Sequence, residues 1–145
     1  MPGQESGNGF SEIFDIAAGA FSTAGEASAS VKRLLKTLGV DSAVVRRIAI
    51  ATYEVELNMV IHSLGGKLIL FVDKDWVTIR SQDVGPGIPD IEMAMREGFS
   101  TAPEDVRNLG FGAGMGLPNM RRNADEFNIE SALGAGTTIE MRFHL

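Results

Sequence analysis

The chain has 145 residues, with 19 acidic and 13 basic side chains, a formal net charge of −6 and no cysteine. This length suits one domain with a substantial core, and the negative balance argues against a nucleic-acid groove or a polybasic membrane contact. Disulfides and thiolate metal sites are excluded, and because no run resembles a signal peptide or a membrane span, we expect a soluble cytoplasmic protein.

The first part of the chain predicts one strand and two helices. Alternating side chains predict a strand over Glu12–Ala18. The helical spacing of apolar residues predicts an amphipathic helix over Ala24–Leu38. A second helix is expected to begin at Asp41 or Ser42, either of which can cap it, and to extend to about Ser63. At roughly 1.5 Å per residue, this helix would be long enough to cross the whole domain.

The second part predicts two hairpins, each followed or preceded by a helix. The predicted elements are strands over Lys67–Val72 and Trp76–Gln82, a short helix from Pro89 or Asp90 to about Glu97, a helix over about Met115–Asp125, and strands over Asn128–Ala132 and Thr137–Phe143. Together they predict an α+β two-layer sandwich, with a mostly antiparallel sheet and helices on one face. We expect residues 11–145 to form this domain and residues 1–10 to be a flexible N-terminus.

A glycine-rich segment, Gly-Phe-Gly-Ala-Gly-Met-Gly, precedes the predicted helix near residue 116. Its glycines, Gly110, Gly112, Gly114 and Gly116, would allow the backbone to approach a ligand closely and to direct N–H groups at a phosphate. It is not a Walker A loop, because no Gly-Lys-Ser/Thr follows, nor a dinucleotide fingerprint, because no strand immediately precedes it. The alternative is a flexible linker, although linkers rarely lead straight into an apolar helix.

On the long helix, Glu54, Asn58 and His62 are four residues apart and share one face, while Glu56 points away from Glu54. Polar side chains in so apolar a helix are costly when buried without partners, so this face is expected to line a polar cavity. The Asn58 oxygen suits Mg²⁺, and Glu54 is placed to orient or deprotonate an attacking hydroxyl. The alternative for Glu54 and Asn58 is a solvated helix face with local hydrogen bonds. The alternative for His62 is that it packs or caps near the end of the helix.

Asp83 ends a predicted strand and is followed by Gly85 and Gly87. A carboxylate at this position can accept a hydrogen bond from the exocyclic amine of adenine, whereas guanine would present a carbonyl to it. The two glycines leave room for a flat base. Thr137, at the start of the last strand, could bond the base or a water beside Asp83. The alternative for Asp83, Gly85 and Gly87 is an ordinary Asp/Gly/Pro turn, and the alternative for Thr137 is a hydroxyl that stabilises the final turn.

These motifs resemble, in the same order, four boxes of the ATP-binding (GHKL) fold shared by gyrase, Hsp90, MutL and histidine kinases. The boxes are Glu54-x-x-x-Asn58, Asp83-x-Gly85-x-Gly87, the Gly110–Gly116 loop and Gly136-Thr137. In size, the chain is similar to the bacterial serine-kinase branch, which includes the anti-sigma factors and the stressosome switch kinase. The motifs that resemble the switch kinase most include Gly98-Phe99-Ser100-Thr101, Gly112-Ala113-Gly114-Met115-Gly116-Leu117-Pro118, Asp125-Glu126-Phe127 and Glu130-Ser131.

The resemblance implies a role for each candidate residue. Glu54 would be the catalytic base, Asn58 the Mg²⁺ ligand, Asp83 the adenine reader and Thr137 a support for the adenine. The glycines of the second box, Gly85 and Gly87, would shape the base pocket, and those of the third, Gly110, Gly112, Gly114 and Gly116, would hold the phosphates.

The activity implied is that of an ATP- and Mg²⁺-dependent protein serine/threonine kinase. Its substrate would be a small regulatory partner of the anti-sigma-antagonist (STAS) type, and the kinase would be a monomer or a homodimer. One alternative is an anti-sigma-like regulator that sequesters a partner without significant kinase activity. Another is the ATPase part of a sensor histidine kinase. The chain has only two histidines, His62 and His144, so phosphorylation of its own histidine is not expected.

Overall fold

The structure, a computed structural model, describes residues 9–62, 65–85, 87–88, 91–96 and 116–145. Within these ranges the helices and strands follow one another in the order that the sequence predicts. In chain order they are β1 Phe10–Ile16, α1 Glu26–Thr37, α2 Ser42–His62, β2 Gly66–Val72, β3 Trp76–Asp83, α3 Ile91–Ala94, α4 Gly116–Asn123, β4 Glu126–Ala132 and β5 Gly136–His144. A short 3₁₀ turn at Phe21–Thr23 precedes α1.

Strand β1 and helix α4 differ from the prediction for local reasons. Strand β1 lies two residues earlier than predicted, because the chain turns at Gly19, whose φ is 70° and whose N–H donates to the carbonyl of Val60 at 2.9 Å. Helix α4 ends at Asn123, two residues early. There the Asn123 side chain bonds the backbone oxygen of Asn119 at 2.8 Å, and the Asp125 N–H already donates to Arg142 of β5 at 2.9 Å.

The five strands form one sheet in the order β1-β2-β3-β5-β4, and every neighbouring pair is antiparallel. Both predicted hairpins are present, and the pairing of β3 with β5 joins them. In that pairing Gln82 lies opposite Thr138, so the end of β3 meets the beginning of β5. This register brings Asp83 next to Thr137, although 53 positions of sequence lie between them.

The helices cover one face of the sheet, which confirms the two-layer sandwich. Along β3, Val77 and Ile79 are buried while Arg80 and Gln82 are exposed, as expected for a strand with one covered face. Helix α2 lies in the middle of the helical layer and packs against both α1 and α4. On its apolar face, Val45, Ile48, Val55 and Met59 are buried and Val44 is half-buried. Among the helices within the described ranges, none combines the length and the apolar character needed to cross a membrane.

Glu56 of α2 fixes the beginning of α1. Its side chain is only 2% exposed, and its two oxygens accept hydrogen bonds from the backbone N–H groups of Gly25 and Ser28 at 3.0 Å and of Ala27 at 3.2 Å. The first N–H groups of a helix have no partner within the helix, and a negative charge is favourable there. Glu56 therefore ties α1 to α2, and it points away from Glu54 as the sequence spacing predicts.

Candidate functional site

The first part of the candidate site lies where α2 meets the start of α4. Glu54 and Asn58 are both half-buried, and both face Gly116, the first residue of α4. A Cβ atom added to Gly116 would lie 3.2 Å from Asn58 Oδ1 and 3.6 Å from Glu54 Oε1. The structure therefore brings these three predicted residues together, and a glycine leaves the space between them open.

Asn119 holds the Glu54 carboxylate in place. Its Nδ2 donates to Glu54 Oε2 at 3.0 Å, and its Oδ1 accepts a hydrogen bond from Arg122 Nη1 at 2.9 Å. Because Arg122 can only donate, this second bond favours the amide orientation in which the nitrogen faces Glu54. One oxygen of Glu54 is thus engaged, while the other faces the space beside Gly116.

Sequence reasoning did not identify Asn119. The residue lies three positions after Gly116, on the same side of α4, and that spacing is a signal that a helical projection can provide. The sequence alone does not distinguish it from a solvent-exposed asparagine, because the contact depends on how α4 packs against α2.

The second part of the site lies at the end of β3. Asp83 Oδ1 accepts a hydrogen bond from the Thr137 N–H at 2.8 Å, and Asp83 Oδ2 has no partner among the residues that the structure describes. Burial raises the pKa of Asp83, and the bond from the Thr137 N–H opposes that rise. Gly136, with a φ of 96°, is required here, since an added Cβ would lie 2.2 Å from the backbone oxygen of Asp83.

A hydroxyl cluster borders Asp83. Ser131 Oγ accepts a hydrogen bond from the Ile88 N–H at 2.7 Å and lies 2.8 Å from Thr137 Oγ1. Gly87, with a φ of 79°, packs so closely on β4 that an added Cβ would lie 2.5 Å from the backbone oxygen of Ala132. The structure therefore brings Asp83, Gly87 and Thr137 to one end of the sheet, and it adds Ser131, which sequence reasoning had noted only as part of a motif.

Several predicted residues fall outside the described ranges. These are Gly110, Gly112 and Gly114 of the glycine-rich loop, and for His62 only the backbone is described. Their predicted roles remain predictions. Gly85 is within the described ranges and is buried next to Asp83.

The residues around Gly116 fit a hydrated magnesium ion shared with a phosphate ligand. No three Asp, Glu or His side chains of the described ranges cluster as a metal centre held by protein alone. Mg²⁺ commonly keeps several waters and takes one or two protein oxygens with phosphate oxygens, and Asn58 Oδ1, which faces Gly116, is such a protein oxygen. Without a Cβ at Gly116, the space before Asn58 remains available to these partners.

Comparison with known proteins agrees with this arrangement. The family described as "Histidine kinase-, DNA gyrase B-, and HSP90-like ATPase" matches residues 43–145, which include both parts of the site. The serine/threonine-protein kinase RsbT of Bacillus subtilis (strain 168) is 34% identical over 113 residues, which cover 75% of this chain and 79% of that protein.

Anti-sigma F factors are also similar. That of Thermoanaerobacter sp. (strain X514) is 36% identical over 99 residues, 65% of this chain and 66% of the relative. That of Geobacillus kaustophilus (strain HTA426) is 32% identical over 98 residues, 63% of this chain and 64% of the relative, so the chain spans slightly less than two thirds of these two factors. The match to the family covers more than half of the chain, which therefore belongs to the histidine kinase-, DNA gyrase B- and HSP90-like ATPases and carries their ATP-binding domain.

Proposed function

We propose that this protein is an ATP- and Mg²⁺-dependent protein serine/threonine kinase that phosphorylates a small STAS-type regulatory protein in bacterial signalling. The observation that carries the proposal is the position of the Glu54 carboxylate. Its Oε1 faces Gly116, as Asn58 Oδ1 does, while its Oε2 accepts a hydrogen bond from Asn119. A protein that only sensed nucleotide would not need a carboxylate at that point. The similarity to a protein named as a serine/threonine kinase supports the same activity.

In this mechanism, the chain's own residues position the reactants. A bound Mg²⁺ would neutralise charge on the β- and γ-phosphates of ATP, and Asn58 Oδ1 is the protein atom that would hold it. Glu54 Oε1 aligns the substrate hydroxyl and accepts its proton. The hydroxyl oxygen forms a bond to the γ-phosphorus as the bond from that phosphorus to the β-phosphate bridging oxygen breaks, which leaves ADP and a phosphorylated side chain.

The other parts of the site bind the nucleotide. Asp83 Oδ2 accepts a hydrogen bond from the adenine amine, Thr137 supports the base, and Gly85 and Gly87 shape the pocket around it. The glycines at positions 110, 112, 114 and 116 contribute backbone N–H groups to the phosphates. Guanine is disfavoured, because its carbonyl would face the Asp83 carboxylate.

The test separates chemistry from binding. The Glu54→Gln variant keeps the shape of the side chain and an amide oxygen but lacks a basic carboxylate, so transfer from labelled ATP to a STAS-type partner should be abolished. Its affinity for ATP, measured by calorimetry, should remain within about twofold of wild type, since the lost proton acceptor contributes to the reaction rather than to ground-state binding.

Two controls make this result specific. Glu140→Gln changes a carboxylate of β5 on the open face of the sheet and should leave transfer intact, and a serine-to-alanine change in the partner should remove the acceptor. Full transfer by Glu54→Gln would refute the role of Glu54 as the base.

A second candidate function is partner sequestration, in which ATP sets the shape of a protein that binds a sigma factor or its regulator. The similarity to proteins named anti-sigma F factor favours it. Under this hypothesis, the wild-type protein would retain a partner in an ATP-dependent manner and would transfer no phosphate to it. Phosphosite mapping of the captured partner distinguishes the two functions.

A further inference from the structure

The outward side of α2 carries exposed side chains that lead to Glu54. Arg46, Ile50 and Tyr53 are spaced by four and three residues, so they lie along one side of the helix. That side is opposite Val55, which is buried in the core. All three residues are exposed, Ile50 to 40% and Tyr53 to 39%. We call Arg46, Ile50 and Tyr53 the outer stripe, and Glu54 follows directly after its last member.

The outer stripe is held in position but is not used inside the fold. The Tyr53 ring packs against the start of α1, since a Cβ added to Gly25 would lie 3.3 Å from the ring carbon Cε1. The Arg46 guanidinium has no ion-pair or hydrogen-bond partner among the residues that the structure describes, whereas the neighbouring Arg47 pairs with Asp125 at 3.1 Å. A fixed aromatic ring and an unpaired cation therefore face outward on either side of Ile50.

Charge is divided unequally between the two layers of the fold. Among the described residues, helices α1, α2 and α4 contain seven basic and three acidic side chains, whereas the five strands contain three basic and six acidic ones. Six of the seven basic residues are exposed, and Glu26 is the only exposed acid of these three helices. Although the chain as a whole carries a charge of −6, the outer side of its helical layer is positive and would attract an acidic surface.

We propose that the outer stripe is the docking surface for the protein substrate, whose matching surface is acidic and carries an apolar residue. The inference rests on the proposed kinase function and deepens it by naming the chemistry of the substrate. A protein whose hydroxyl reaches Glu54 must lie against the surface around Glu54, and the outer stripe is continuous with that surface. An anionic membrane or a nucleic acid is disfavoured, because the net charge of −6 would repel either one.

The spacing of the outer stripe sets where the matching groups of the substrate lie. At about 1.5 Å per residue, Ile50 precedes Glu54 by about 6 Å along the axis of α2, and Arg46 precedes it by about 12 Å. The apolar residue of the substrate is therefore expected about 6 Å from the acceptor hydroxyl, and a carboxylate about 12 Å from it. Ile50 contributes affinity by burying apolar area, while Arg46 contributes mainly to the association rate and to its dependence on salt.

The transfer assay with a STAS-type acceptor protein tests the charged part of the stripe. Arg46→Glu should raise the KM for the acceptor about tenfold, because repulsion replaces attraction, and should leave the KM for ATP unchanged. Arg46→Lys keeps the charge and should remain within about twofold of wild type. Added salt should raise the wild-type KM for the acceptor but not that of Arg46→Glu. Arg80→Glu makes the same change of net charge on the open face of the sheet and should behave like wild type.

Two matched isoleucines test the apolar part of the stripe. Ile50 is 40% exposed on α2, and Ile13 is 38% exposed on the edge strand β1. Ile50→Ala should raise the KM for the acceptor about fivefold, whereas Ile13→Ala should leave it unchanged. Alanine is the better helix former, so Ile50→Ala should not lower Tm, and a thermal-unfolding measurement checks that the protein is folded.

A reversed charge pair links the stripe to its partner. Once phosphosite mapping has identified the acceptor hydroxyl, a carboxylate of the acceptor about 12 Å from it is changed to lysine. This altered acceptor should be a poor substrate for the wild-type protein and a better one for Arg46→Glu, because the two changes restore an attractive pair. Equal KM values of the altered acceptor for both kinases would contradict a direct contact with Arg46.

The outcomes distinguish the inference from the function on which it rests. Absence of phosphate transfer by the wild-type protein would overturn the proposed function and the inference with it. Transfer by the wild-type protein with an unchanged KM for the acceptor in either Arg46→Glu or Ile50→Ala would overturn the inference alone. Equal losses in Arg46→Glu and Arg80→Glu would also overturn it, since net charge rather than the outer stripe would then be responsible. Sedimentation with phosphatidylserine vesicles that Arg46→Glu abolishes, at an unchanged KM for the acceptor, would assign the stripe to a membrane instead.

Discussion

Replacement of Gly116 by alanine should change stability and metal-dependent binding in opposite directions. Gly116 is the first residue of α4 and has helical backbone geometry, unlike Gly87 and Gly136, whose φ angles are positive. Alanine therefore fits the backbone and reduces the freedom of the unfolded chain. A gain of about 0.4–1 kcal/mol in the free energy of unfolding is expected, or about 1–4 °C in Tm.

The same methyl group should weaken the proposed magnesium site. It would lie 3.2 Å from Asn58 Oδ1 and 3.6 Å from Asn58 Nδ2 and Glu54 Oε1, so the Asn58 amide must move by a few tenths of an ångström. Magnesium ligands stand at about 2.0–2.1 Å in a strict octahedral arrangement. We expect Gly116→Ala to lose about tenfold in affinity for ATP with Mg²⁺ present, which corresponds to about 1.4 kcal/mol.

Calorimetric titration of ATP with Mg²⁺ and with EDTA measures this effect, and differential scanning calorimetry measures the change in Tm. Ser42→Ala, at the exposed first position of α2, is the matched control and should leave both ATP affinities unchanged. Wild-type affinity of Gly116→Ala for ATP with Mg²⁺ would refute the reasoning. So would an equal loss with and without the metal, since the damage would then lie elsewhere than at Asn58.

Three further substitutions test the remaining parts of the structure. Asp83→Asn should weaken ATP binding about 10- to 100-fold, because a bond to a charged group is lost. It should not lower Tm at pH 7, because burial raises the pKa of Asp83 and its ionised form is unfavourable in the folded protein. Since ATP binding uses the ionised carboxylate, wild-type ATP affinity should fall as the pH is lowered through that raised pKa. Glu56→Gln should lower the free energy of unfolding by about 1–3 kcal/mol, measured by urea titration, since the clamp on α1 loses its charge. Asn119→Ala should lower kcat about tenfold with an unchanged KM for ATP, measured in the transfer assay, because Glu54 is no longer held in its productive orientation.

Each of these variants has a control and a contrary result. Asp75→Asn, in the β2–β3 turn, should bind ATP normally, and an Asp83→Asn variant that did so as well would remove Asp83 from base recognition. Glu12→Gln, on β1, should unfold like wild type; equal stability of Glu56→Gln would show that the α1 clamp contributes little. Arg121→Ala, on the exposed side of α4, should retain kcat, and a raised KM in Asn119→Ala would indicate a role in nucleotide binding instead.

The local elements could be predicted because their signals are local. Asp41 caps α2, as expected, with its side chain 3.1 Å from the Ala43 N–H. The first hairpin turns at Asp73, whose side chain accepts the N–H groups of Asp75 and Trp76 at 2.8 Å. The sheet order could not be read from periodicity, because the pairing of β3 with β5 depends on contacts between residues more than 50 positions apart.

The site was predictable where short motifs define it and not where packing does. The structure brings Glu54, Asn58 and Gly116 together as their motifs suggest. Asn119 and Ser131 bond these motif residues or their neighbours from other elements, and a polar residue in a short helix or strand gives no such indication before the elements are packed. The contact of Glu56 with α1 was missed for the same reason, since its partners are backbone groups about 30 residues earlier in the chain.

The two glutamates of α2, only two residues apart, face different surroundings, and this difference has a genetic consequence. Glu56 holds two helices together, so its substitution should produce temperature-sensitive alleles whose protein is lost on warming and recovered by second-site mutations that stabilise the fold. Alleles of Glu54 should be inactive at every temperature although their protein accumulates normally. A suppressor screen in living cells would therefore assign the two adjacent carboxylates to architecture and to chemistry without any purified component.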